Sequence, residues 1–131
     1  MHITGIYAAL GALLLLVLAI RVTLHRRRLQ IGIGDNGDDV LARCIRAHAN
    51  SVEYLPIALL LLLLLEWNQT LPWLLHLFGI VLILSRIAHA FGLSRSAGAS
   101  AGRAIGTLGT WTVIVVMALL LLWQAATIAL I

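Results

Sequence analysis

The sequence predicts an all-α integral membrane protein whose protomer is a bundle of four spanning helices. Three observations carry that reading. Hydrophobic residues fill 62% of the 131 positions and charged residues only 11%, where a soluble domain carries about 25% charged. Mean hydropathy is +1.05. The apolar residues also gather into four stretches, approximately 3–23, 40–65, 72–93 and 104–130, and a bilayer core takes about 20 helical residues to cross. A single membrane domain, 1–131, is therefore expected, with almost no soluble portion. The nine basic residues are all arginine and give a net charge of +4. Most stand in or beside short loops, so the basic balance reflects a membrane surface and no nucleic-acid partner is expected. The lone Cys44 supports no disulfide and no metal motif. It reads as a small packing residue, and no metal is expected.

The first stretch, 3–23, holds a charge only at Arg21 near its end. Its arginines follow rather than precede it and no small-residue cleavage site is present, so it reads as a span and not as a cleaved signal peptide. The next ten residues, QIGIGDNGDD (30–39), hold three glycines among Asp35, Asn36 and Asp38, the composition of a tight reversal. Glycine spacing and the absence of a preceding strand exclude a dinucleotide fingerprint. The ligand pattern and final glutamate of a calcium loop are missing too. Asp38 or Asp39 is expected to cap the second helix.

That helix runs to Leu65 and is followed by Glu66-Trp67-Asn68-Gln69-Thr70. Leu71-Pro72-Trp73 opens the third, with proline placed where a first turn tolerates it. A small-residue loop, 94–102, leads to the fourth. Trp67, Trp73 and Trp123 are expected at the headgroup level, and Trp111 is expected to pack between helices. Both loops flanked by arginines (Arg26, Arg27, Arg28, Arg43 and Arg46; Arg95 and Arg103) are expected in the cytoplasm. Both termini then lie outside, and the membrane is expected to be a bacterial inner membrane.

The chemistry lies in RCIRAHANSVEY, 43–54. At about 100° per residue, Arg43, Arg46, Asn50, Glu53 and Tyr54 form one helical stripe, whereas Cys44, His48 and Ser51 face elsewhere. Glu53 stands roughly 15 Å inside the helix end near Arg43. Intramembrane charges cost on the order of 2.5–3.5 kcal/mol each unless they pair or line a wet cavity. Arg86, with His89 one turn away, supplies a second buried charge on the third span. One reading is a Glu53–Arg86 ion pair that simply bolts two helices together. The other is an anion site, because Arg43, Arg46 and Arg86 outnumber Glu53. Such a site suits a small zwitterion with two carboxylates and one amine.

Arg46, Ala47, Asn50, Glu53, Tyr54 and Pro56, with Arg86 and Gly92 on the third span, resemble the pattern of the MAPEG family, the membrane-associated proteins of eicosanoid and glutathione metabolism. The resemblance extends over essentially the whole chain. It implies a homotrimer of four-helix protomers binding glutathione between subunits. Arg46, Asn50, Glu53 and Tyr54 are then the expected glutathione contacts, with Arg86 reaching in from the adjoining protomer. Arg43, from the arginine surplus, and His89, either in place of a phenol hydrogen bond or as a histidine packed on a neighbouring helix, complete the candidates. The implied chemistry is attack of the glutathione thiolate on a lipophilic electrophile or hydroperoxide arriving from the bilayer. The activating arginine is expected at Arg103, with Arg95 as its rival. His89 and Leu93 stand where related enzymes carry tyrosines, which keeps open a non-catalytic lipid- or glutathione-binding protein of the same fold. A small multidrug exporter, the third alternative, needs a carboxylate in the first span, and 3–22 holds none.

Overall fold

A computed structural model describes residues 2–95, 98 and 100–128. Ser96, Ala97 and Ala99 of the small-residue loop and residues 129–130 of the expected fourth span lie outside the described residues. Four helices make up the fold: α1 (Ile3–Leu29), α2 (Asp39–Trp67), α3 (Pro72–Arg95) and α4 (Ala101–Ile128). All four are long and apolar enough to cross a membrane. Their 24 to 29 residues correspond to about 36–44 Å, so each outruns an apolar layer of roughly 30 Å.

The helices end where local chemistry stops them. α1 continues past its apolar stretch through Arg26, Arg27 and Arg28, which suit the negative end of the helix dipole. Gln30 then turns left-handed at φ 56°, and the Ile31 N–H returns to the Arg26 carbonyl at 3.0 Å. Of the two aspartates expected to cap α2, Asp38 does so, its Oδ1 accepting the Leu41 N–H at 2.7 Å. The reversal before it uses positive φ at Gly34, Asn36 and Gly37. Ser100 caps α4, its Oγ accepting the Arg103 N–H at 3.4 Å.

α2 and α3 pack together at the centre, α1 and α4 each pack on both, and among the described residues α1 and α4 do not pack on each other. The main apolar core fills one half of the bundle, around Tyr7, Leu62, Leu82 and Met117. Exposed Trp67, Trp73 and Trp123 surround that end. There Gln124 bridges Asn68 and Thr70 by hydrogen bonds of 3.0 and 2.9 Å. The opposite half holds only a small apolar cluster, Leu18, Ala47, Ala90 and Leu93, and is where the arginines collect.

Two contacts set helix positions across the bundle. The Glu66 carboxylate accepts the backbone N–H groups of Ile3 and Thr4 at 3.0 and 2.9 Å, so the end of α2 caps the start of α1. Removing a side-chain cap costs about 0.5–2 kcal/mol. Glu66→Ala is thus expected to lower the thermal unfolding midpoint in detergent, while an unchanged midpoint would show that the cap contributes nothing. The second contact is the α3–α4 seam. A Cβ added at Gly106 would stand 2.5 Å from the Ser85 carbonyl oxygen and 2.6 Å from the His89 Cβ. One at Gly92 would stand 2.6 Å from the Arg103 nitrogen, and one at Gly102 3.0 Å from the Ala88 carbonyl. Glycines thus let the two backbones touch, as close packing between membrane helices requires.

Candidate functional site

The polar stripe of α2 meets α3 and the first turn of α4 at the arginine end of the bundle. Arg43, Arg46 and Asn50 from α2, His89 and Leu93 from α3, and Arg103 from α4 line one cavity of about 290 Å³, with Asp39 and Ala42 at its rim. Ligand pockets begin at about this size. Three guanidiniums against the single Asp39 carboxylate leave the wall cationic. Helical periodicity aligns the α2 groups on one face, while Cys44 and Ser51 are buried on the other. Gly92 and Gly106 admit α4 closely enough to bring Arg103 beside His89.

Asn50 joins this cavity to a second layer. Arg86, 1% exposed, donates through Nη1 to the Asn50 side-chain oxygen at 2.9 Å. Its guanidinium carbon lies 5.4 Å from the centroid of the Tyr54 ring, a cation–π contact. Glu53 goes elsewhere: it accepts from the Asn50 amide at 3.4 Å and pairs with Arg46 at 3.7 Å. Among the described residues no Glu53–Arg86 ion pair forms. The two side chains stand at similar depth on different faces, Arg86 sealed between helices and Glu53 about half exposed. Within the protomer, Arg86 thus braces Asn50.

Polar atoms without partners gather around the cavity. His89 is 6% exposed and its Nδ1 has no hydrogen-bond partner among the described residues. The same holds for Nε of Arg43 and of Arg86. A buried polar group left unpaired costs about 1–3 kcal/mol, and the cavity gives a polar group access to those on His89 and Arg43. Of the two rival arginines, Arg103 lines the cavity and donates to the Gly98 carbonyl at 2.7 Å. Arg95 instead lies over the Phe91 ring, 3.9 Å from its centroid, and is no part of the cavity wall.

Trp111 departs from its expected place between helices. It is half exposed, yet its indole N–H donates to the Tyr54 hydroxyl at 3.2 Å and so ties α4 to the polar stripe. The glycine seam was not anticipated from the sequence. Its signal is the spacing of Gly102, Gly106 and Gly109, which places three small residues on one face of α4.

The MAPEG family model matches residues 4–123. The chain is also similar to inner membrane protein YecN of Escherichia coli K12, with 36% identity over 121 residues that cover 92% of this chain and 91% of that one. The same identity and coverage are found with inner membrane protein YecN of Escherichia coli O6:H1 strain CFT073.

Proposed function

The chain belongs to the MAPEG family of membrane proteins, and from that premise we propose that it binds glutathione in the arginine-lined cavity and uses the thiolate to conjugate lipophilic electrophiles or to reduce lipophilic hydroperoxides. The observation that carries this reading is the pair of buried, unpartnered polar atoms on His89 and Arg43 in the wall of a cationic cavity. A doubly acidic tripeptide matches such a wall in charge and in hydrogen-bonding capacity. Arg43 and Arg46 receive carboxylates, Glu53 receives the ammonium group, and Asn50, held by Arg86, bonds the peptide. A free thiol ionises near about 8.5, and an adjacent guanidinium favours the thiolate. Arg103 is assigned that role. On an electrophile the thiolate forms an S–C bond as the leaving group departs. On a hydroperoxide it attacks the terminal oxygen, the O–O bond breaks to release an alcohol, and a second glutathione converts the sulfenic acid to disulfide and water.

Three copies are proposed to surround the site. The half-exposed Arg46 and Glu53 stand on a helix that is otherwise apolar on its outer face, and lipid is a poor neighbour for either. A neighbouring protomer covering them, in the homotrimer that the family resemblance implies, puts the ligand between subunits. The proposed setting is a bacterial inner membrane, with the arginine end in the cytoplasm and both termini outside. This places the cavity mouth where glutathione is available.

Isothermal calorimetry of glutathione on the purified protein tests the binding step, with Arg46→Ala alongside. Loss of a charge-assisted contact of about 1.5–3 kcal/mol should weaken binding by roughly ten- to a hundredfold. Absence of heat from the unaltered protein would end the glutathione reading. A second reading, ligand binding without turnover, is favoured by Leu93, which gives the cavity an apolar side chain where a phenol is expected. Binding without conjugation of a chlorinated aromatic would select it.

A further inference from the structure

We infer that α1 carries a binding site for an anionic phospholipid, with its headgroup phosphate on Arg26 and Arg27 and an acyl chain along the outer face of the helix. The argument begins with three adjacent arginines that do not share surroundings. Arg28 faces a groove that also contains Asp38. Arg26 and Arg27 line a separate cavity of about 390 Å³ with Thr23, Gln30 and Gly32, and no acidic residue borders it. The neighbouring carboxylates are engaged elsewhere, Asp35 with the Gly37 N–H and Asp38 with the Leu41 N–H. Arg26 is held in place, donating through Nη1 to the Gly32 carbonyl at 2.9 Å, while its buried Nε has no partner. Arg27 is exposed.

The apolar part of the site follows from helical spacing. Leu13, Leu16, Ile20, Thr23, Arg27 and Gln30 recur at intervals of three and four residues, which puts them on one face of α1. The three apolar members are each about half exposed or more. Among the described residues α4 does not pack on α1, and the protomer leaves this face open. Read from the bilayer centre outward, the stripe is greasy, then hydroxylated at Thr23, then cationic. That is the profile of a phospholipid from acyl chain through glycerol to phosphate. A second protein copy has no such demand, since the exposed charges that need protein cover lie on α2. Basic residues at a membrane face attract anionic lipid with about 1 kcal/mol each.

Native mass spectrometry of the full chain, released from detergent with added phosphatidylglycerol or phosphatidylcholine, tests the site. Phosphatidylglycerol is expected to be retained in preference, Arg27→Gln to reduce that retention by about fivefold, and Arg28→Gln to leave it unchanged. Among the described residues the Arg27 side chain makes no hydrogen bond or ion pair, so Arg27→Gln costs folding only its small share of the helix-dipole interaction. Equal retention of the two lipids would overturn the inference. So would an equal loss in Arg28→Gln, which would reveal only a diffuse field. Displacement by soluble glycerol phosphate would show that no acyl chain is bound, and a changed subunit number in Arg27→Gln would assign the face to a second copy. The outcome is independent of glutathione binding.

Discussion

Arg103→Ala is expected to lower conjugation of glutathione to a chlorinated aromatic by about two to three orders of magnitude, the usual cost of removing one donor from a developing anion. Glutathione affinity should change much less, because Arg43 and Arg46 on the facing helix remain to hold the carboxylates. The division is the informative part. Ultraviolet thiolate absorbance of bound glutathione should fall with turnover, whereas a merely structural residue would reduce binding and leave ionisation of the bound thiol alone. Arg95→Ala supplies the comparison, since Arg95 rests on Phe91 outside the cavity. A fully active Arg103→Ala enzyme, or an inactive Arg95→Ala one, would reverse the assignment.

The second large effect is expected at the α3–α4 seam. Gly106→Val inserts a branched side chain where even a Cβ would meet the Ser85 oxygen at 2.5 Å and His89 at 2.6 Å. Those obstacles belong largely to the backbone of α3, so the helices must part. Overpacking costs about 1–3 kcal/mol, occasionally more, and the upper end applies where no flexible side chain can yield. The same separation draws Arg103 away from His89, so the proposed conjugation should fall along with stability. Gly5→Ala is the counterpart: nothing stands within 4 Å of that added carbon, and it should stabilise α1 by up to about 1 kcal/mol. Thermal unfolding in detergent measures both. A Gly106→Val protein as stable as its parent would mean that the helices do not pack as closely as described.

The parts of this molecule legible in the sequence are those governed by a strong solvent rule. Lipid admits only apolar, internally bonded segments, so hydropathy located all four helices. The 3.6-residue period put Arg43, Arg46 and Asn50 on one face before any coordinates were needed. Partner choice was not legible in the same way. Depth in the membrane made Glu53 and Arg86 plausible partners, but rotation about the helix axes decided for Asn50, and rotation leaves no trace in composition. Arg103 was ambiguous because its helix begins in a run of small residues where hydropathy marks no start. Ser100 marks that start by capping the first turn. The seam was missed for a related reason: glycine contributes no side chain to a hydropathy count, while its value here is the space it leaves.

The bond between Glu66 and the first amides of α1 spans 62 and 63 positions of chain. A ribosome therefore releases α1 well before the acid that completes its hydrogen bonding exists. During insertion those amides depend on water or headgroups, and they are sealed only when the second helix has crossed and returned the carboxylate to the same membrane face. Correct threading of this hairpin is thus rewarded at the moment it is achieved, and a chain inserted with one helix reversed forfeits the reward.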